Sequence, residues 1–336
     1  MKFQINKPKI ELILFILINI PNTSFSKTVA DKKGRKAIIE LADPTIICVD
    51  KKYYLYGTGG SKGNVDSGFE VYTSSDMKIW RGPVGVRSGY ALAKGDVIGT
   101  SGFWAPHVFS YNSKLYMAFT ANEQIAIAKS DSPYGPFRQD TMRFISGVNK
   151  QIDPYVFLDE DGKIYLYHVR LDKGNKIYVA EMKHDLSDIK PETSHFCLDA
   201  TETWENTDKT SWSVTEGPTV IKHNNLYYLF YSANDFRSKD YAVGYATSNS
   251  PNGPWVKSND NPIISRNLIK QNGPGHGDLF KDKNGKWKYV FHLHASFTTV
   301  NPRKTAIINS EFVKDRTGKE KIKMNKKSVS EITVNK

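Results

Sequence analysis

A chain of 336 residues, 39% apolar and 24% charged, is long enough for one large or two ordinary domains and too apolar for disorder to be its default state. Its two cysteines exclude a disulfide framework. The formal charge of +12 suggests a polyanion partner, but the lysines are scattered through turns and crowded between Lys314 and Lys336, with no basic stripe interleaved with aromatics, so no nucleic-acid partner is expected.

The N-terminus, MKFQINKPKIELILFILINIPNTSFSKT, opens on basic residues, carries an apolar run from Ile10 to Ile20 and leaves through small residues. That is the layout of a secretory signal peptide, assigned to residues 1–26 with cleavage near Ser26. The run is too short to span a bilayer comfortably. The mature chain is therefore expected to be secreted or periplasmic, monomeric and free of the membrane. Cys48 falls in an apolar strand pattern and reads as a small buried hydrophobe; nothing in the pattern supports a bridge to Cys197.

Tyr and Phe dominate the aromatic content, and apolar runs of helical period are hard to find, which points to an all-β chain. Five segments share one design: ADPTIICVDKKYYLYGT, APHVFSYNSKLYMAFTA, DPYVFLDEDGKIYLYHV, GPTVIKHNNLYYLFYSA and GDLFKDKNGKWKYVFHLHA. Each is a small turn, an apolar strand, a polar hinge and a second strand rich in Tyr, Leu and Phe. The first four are followed by a further short strand and turn, as in YAVGYATSNSPNGPW. A period of roughly 50 to 60 residues with two hairpins per copy predicts a five-bladed β-propeller. It is placed over residues 35–325, with Lys304 to about Asn325 closing blade five and residues 326–336 left as a frayed basic tail. A two-sheet sandwich would not repeat as matched hairpin pairs.

The innermost strand of each blade lines a propeller's channel, so the residues opening the five first strands meet at one mouth. They are Asp43, Trp104 with Ala105, Asp153, Glu216 and His276. Asp before Pro is a common turn residue when taken alone. Three acids at equivalent repeat positions are another matter, because like charges at close range raise one another's pKa and a fold built only for stability would avoid them. Two carboxyl groups of opposed protonation can hydrolyse a glycosidic bond, one protonating the leaving oxygen while the other activates water or attacks directly.

The ordered motifs LADPTII, FWAPHVF, QIDPYVF, TEGPTVI with YYLFYSAND, YAVGYATSNSPNGPW and GHGD resemble glycoside hydrolase family 43, the five-bladed propeller glycosidases, from about Leu41 to Arg303. The resemblance implies that Asp43 is general base, Glu216 general acid and Asp153 the group that raises the acid's pKa and orients it, in a single inverting displacement. It further implies that Arg303 reaches into the pocket toward a sugar hydroxyl or a catalytic carboxylate. His276 would lie beneath the site and face calcium directly or through water, although calcium prefers oxygen ligands. No cofactor is required by this reading, and any calcium would be structural.

Trp104 and Phe103 are candidates for the floor of the sugar site. Arg237, with Arg170 and Asp235, is expected on loops bordering an outer subsite. The partner is then an oligosaccharide or polysaccharide, and the activity exo-acting removal of arabinofuranosyl or xylosyl residues, with arabinofuranose favoured. Four alternatives stay open: a β-xylosidase, a galactan- or galactofuranose-directed hydrolase, a non-catalytic carbohydrate-binding propeller, and a retaining relative, whose first-blade motif would carry Asn where this chain has Ala42.

Overall fold

In the computed structural model, residues 36–60 and 65–335 are described. The expected signal peptide lies outside them. Among the described residues no helix is long and apolar enough to cross a membrane. The chain forms a five-bladed β-propeller. Its inner strands are Leu41–Val49, Trp104–Tyr111, Gln151–Leu158, Thr215–His223 and Gly275–Lys281, and each pairs antiparallel with the strand that follows it. Blades three, four and five have four strands each, while blades one and two have three, with the fourth place taken by the isolated bridges Thr73–Arg81 and Lys129–Arg138.

The alternation seen in the sequence becomes five separate apolar cores, one between each pair of neighbouring blades. Phe103, Phe119 and Phe69 fill the first, between blades one and two. Ile39, Leu41, Tyr53, Val290, Ile332 and Val334 fill the last, between blades five and one. Both strand faces are thus covered, which explains second strands as continuously apolar as YYLFYSA. Cys48 and Cys197 are free thiols.

Two expectations change here. Residues 326–336 were read as a tail, yet the fourth strand of blade five runs Glu320–Glu331, and Thr333–Asn335 pairs antiparallel with Lys36–Ile38. The reason is that Ile332 and Val334, hidden among lysines in the sequence, are buried in the seam core. Phe103 is fully buried. It packs between blades and does not floor the pocket, because its neighbour Trp104 takes the opposite direction and lines the cavity.

Candidate active site

Each inner strand slips register where it meets the channel mouth: between Ala42 and Thr45, Trp104 and His107, Ile152 and Tyr155, Glu216 and Thr219, and Gly275 and Gly277. The bulged residues Asp43, Ala105, Asp153, Gly217 and His276 all have positive φ, between 38° and 59°. A bulge re-aims side chains and sharpens the local twist, and a non-glycine residue in this region stores strain of about 1 to 3 kcal/mol. The sequence placed Glu216 at the position equivalent to Asp43 and Asp153. It stands one residue earlier, at the position of Trp104, and Gly217 occupies the bulge. A Cβ on Gly217 would lie 2.8 to 3.2 Å from ring atoms of His276, so blade four can offer an acid only from the preceding position.

The five bulges are tied around the mouth through their backbone N–H groups. Ala105 donates to Thr58 Oγ1 (2.8 Å), Asp153 to Thr120 Oγ1 (3.0 Å), His276 to Ser232 Oγ (2.7 Å) and Asp43 to His292 Nδ1 (3.2 Å). Each acceptor stands on the second strand of the preceding blade. Blade three has Val169 at that place, paired with Ile152, and valine has no acceptor. The Gly217 N–H turns instead to Asp153 Oδ2 at 3.2 Å. One aspartate carboxylate thereby completes the ring and fixes the backbone next to Glu216.

Asp43, Asp153, Glu216, Trp104, His276, Arg237 and Arg303 all line one cavity of about 400 Å³. All five blades contribute to its wall. Burial pushes the Asp43 carboxyl up, but the Arg303 guanidinium, 3.0 Å from Oδ1, together with His276 and His292 outweighs it and holds Asp43 well below the usual carboxylate range. Arg303 thus takes the Asp43 carboxylate as partner and lies over the Phe236 ring, 4.7 Å from its centroid. Glu216 is pushed up to about 7, first by burial and then by the charge of Asp43, against hydrogen bonds donated by the Tyr241 hydroxyl to Oε1 (2.8 Å) and by Asn175 Nδ2 to Oε2 (2.9 Å). Asp153 is also raised, by burial and by the charges of Glu216 and Asp43.

His276 Nδ1 lies 3.4 Å from Asp43 Oδ1 and 3.8 Å from Asp153 Oδ2, so this edge of the ring faces the two aspartates. Among the described residues no group of three or more His, Cys, Asp or Glu side chains is placed to hold a metal. Arg237 sits at the rim in a two-pronged ion pair with Asp235 (2.7 and 2.6 Å). Arg170 is not in the cavity wall: its guanidinium stacks 4.2 Å from the Tyr178 centroid and its Nη2 donates to Ser194.

Tyr241, Asn175, Trp212, Phe236 and His292 were not found by sequence reasoning. Tyr241 opens the motif YAVGYATSN, and an acceptor-seeking tyrosine at a strand start was the one available signal. Asn175 opens the third strand of blade three, Asn175–Glu181, where asparagine at a strand start is ordinary, and Trp212 stands in an irregular connection with no repeat to point at it.

The arrangement offers one carboxylate kept ionised, one carboxyl kept protonated near neutrality and a third beside them, in a walled cavity with an aromatic side. The model of the family described as "Glycosyl hydrolases family 43" matches residues 37–317. A structure of an endo-1,4-β-xylanase from Bacteroides thetaiotaomicron is 40% identical, with TM-score 0.80, covering 90% of this chain and all of that one. A thermostable family-43 glycoside hydrolase is 33% identical, with TM-score 0.73, covering 85% of this chain and 94% of that one. Among curated proteins, a β-D-galactofuranosidase of Aspergillus niger is 24% identical over 75% of this chain and 73% of its own length. A xylosidase/arabinosidase of Bacteroides ovatus is 26% identical over 75% of this chain and 85% of its own. The chain belongs to glycosyl hydrolase family 43.

Proposed function

We propose that the chain is an exo-acting, inverting glycosidase that removes α-L-arabinofuranosyl residues from arabinan- or xylan-type glycans outside the cytoplasm. The observation that carries the reading is the opposed protonation of two carboxyl groups facing one cavity, Asp43 held ionised beside Arg303 and Glu216 pushed up to about 7. Glu216 protonates the departing glycosidic oxygen while Asp43 takes a proton from the attacking water, and Asp153 orients the backbone beside the acid through Gly217.

The exo assignment rests on a cavity to whose wall every blade contributes. Its lining carries the carboxyl groups of Asp43, Glu123, Asp153, Glu216 and Asp235 against the two guanidiniums of Arg237 and Arg303. A neutral sugar suits it better than a polyanion. The names of related proteins, xylosidase/arabinosidase and endo-1,4-β-xylanase, support a second reading as a β-xylosidase.

Aryl α-L-arabinofuranoside, β-D-xyloside and β-D-galactofuranoside, each with wild type and Asp43→Asn, form the test. Arabinofuranoside should be cleaved fastest, and the amide should lower kcat on the order of 10³-fold because it cannot accept the proton of water. A variant keeping a tenth of wild-type kcat removes Asp43 from the mechanism, and faster xyloside cleavage moves the assignment to the second reading. Proton NMR of the first released sugar should show the inverted anomer; the retained one would make Asp43 a nucleophile. The carboxyl pair already supplies acid and base, so EDTA is expected to leave part or all of the activity. Complete, calcium-reversible loss with the fold intact would require a metal-centred route.

A further inference from the structure

Trp212 is half exposed, at 49%, and lines the cavity beside Asn175 and Glu216. A tryptophan left open to solvent beside a buried acid is costly unless something covers it. Its indole N–H donates to Asn175 Oδ1 at 2.9 Å, and Asn175 Nδ2 donates to Glu216 Oε2 at 2.9 Å. We propose that Trp212 and Asn175 are positioning residues that link the leaving-group side of the pocket to the general acid: a sugar stacked on the indole fixes the Asn175 amide, which in turn fixes the Glu216 carboxyl. The inference rests on the glycosidase reading given above.

The chemistry of the chain is one-directional. An indole nitrogen can only donate, so the Asn175 amide must turn its oxygen to Trp212 and its NH2 to Glu216. Oε2 therefore meets a donor and never an acceptor, which leaves the acidic proton to the Oε1 side, where the Tyr241 hydroxyl can rotate to give or take a hydrogen bond. Once Glu216 has given its proton to the departing oxygen, the new carboxylate finds two donors already in place. Asn175 is itself rigid: its backbone N–H donates to Ser213 O (2.9 Å), and its carbonyl accepts from Thr215 Oγ1 (3.0 Å). Only the amide rotor is free, and the indole holds it.

The leaving-group location follows from the acid. Whatever Glu216 protonates is the departing oxygen, and Trp212 is the aromatic joined to Glu216 through a single side chain. Trp104, the cavity tryptophan that the sequence singled out, has no such link among the described residues. A sugar face on Trp212 should then raise kcat as well as lower KM, since its contact is spent on aligning a group that acts only in the transition state.

The test compares wild type, Asn175→Ala, Trp212→Phe and Trp212→Ala on two substrates of the favoured sugar, an oligosaccharide and a 2,4-dinitrophenyl glycoside whose leaving group needs no proton. Asn175→Ala and Trp212→Phe should lose about tenfold or more in kcat on the oligosaccharide beyond whatever they lose on the dinitrophenyl glycoside. The basic pH limb should move upward in Asn175→Ala, because a donor to the ionised carboxyl has gone, and in Trp212→Phe, because that donor is no longer held in place. Trp212→Phe keeps a ring face and should spare KM for the oligosaccharide, whereas Trp212→Ala should raise it. Equal losses on both substrates would reduce the pair to structural residues, and unchanged kinetics would remove the relay while leaving the glycosidase reading intact. A folded wild type inactive on every glycoside would overturn that reading and this inference with it.

Discussion

In the proposed mechanism Arg303 and Asp153 act on opposite limbs of the pH profile. Activity requires Asp43 ionised and Glu216 protonated, so the rate should rise as pH climbs through the depressed Asp43 pKa and fall as it passes about 7. Arg303→Gln removes the cation that offsets the burial of Asp43, and the acidic limb should move to higher pH. An unmoved acidic limb in the kcat/KM profile would show that Arg303 does not set the charge of Asp43. Asp153 is itself raised by burial and by the charges of Glu216 and Asp43, so the two acids titrate as a pair; Asp153→Asn takes one ionisable partner out of that pair, and the basic limb should move to lower pH. A limb that stays put or moves up would count against Asp153 as modulator. The positions of the acids were legible at residue level because an acid ahead of proline recurred in the repeats. The partners were not: Tyr241, His292 and Asn175 come from second and third strands or loops, where tyrosine, histidine and asparagine have ordinary structural uses.

At the scale of the element, the period of hairpins was readable because paired apolar strands joined by polar hinges leave a signature in one sequence. The bulge was not. Asp43-Pro44 and Glu216-Gly217-Pro218 look alike as an acid ahead of proline, and the backbone shows what the inserted glycine means: Gly217 takes the bulge and the acid stands one residue earlier. The same offset separates Trp104, which faces the cavity, from Phe103, which fills a core. Gly217 makes the offset possible, with φ of 59° and the His276 ring where a Cβ would stand. Gly217→Ala should therefore press His276 away from Asp43 and Asp153, at a cost of about 1 to 3 kcal/mol. For a domain of this size that is a fall in Tm of at least about 2 °C, with kcat reduced more than KM. Calorimetry and kinetics would check both, and an alanine variant with wild-type Tm and kcat would show that the blade-four bulge does not need glycine.

Across the whole molecule, a propeller must close, and the ring of backbone donors at the channel mouth is complete only if blade five stays against blade one. The Asp43 N–H reaches His292 across that seam, and the Arg303 guanidinium reaches Asp43 across it as well. What holds the seam is the C-terminal stretch that the sequence suggested was frayed. Ile39 N–H donates to Ile332 O, Ile332 N–H to Thr305 O, Thr305 N–H to Ile39 O, and Thr305 Oγ1 to Leu41 O. Leu41 stands two residues before Asp43, so the closure and the proposed general base share one strand. Its legibility failed for a physical reason: Lys323, Lys326 and Lys327 ahead of it are exposed, and two apolar residues in a short strand make too small a pattern to outweigh that basic run.

Removal of residues 332–336 separates the two views of this segment. A frayed tail could be cut without effect, whereas a closing strand takes two buried side chains with it, each contributing about 1.5 to 3 kcal/mol on burial. The truncated chain should lose roughly 10 °C in Tm, and Lys326→Ala with Lys327→Ala, which touches only exposed positions, should leave Tm nearly unchanged. Activity adds a second readout, because a loosened seam lets Arg303 drift from Asp43. The truncated protein, assayed well below its own Tm, should show its acidic limb displaced to higher pH in the same direction as Arg303→Gln. A truncation with wild-type Tm would sink the closing role of the strand, and a lowered Tm with an unmoved acidic limb would confine that role to stability and detach it from the charge of the base.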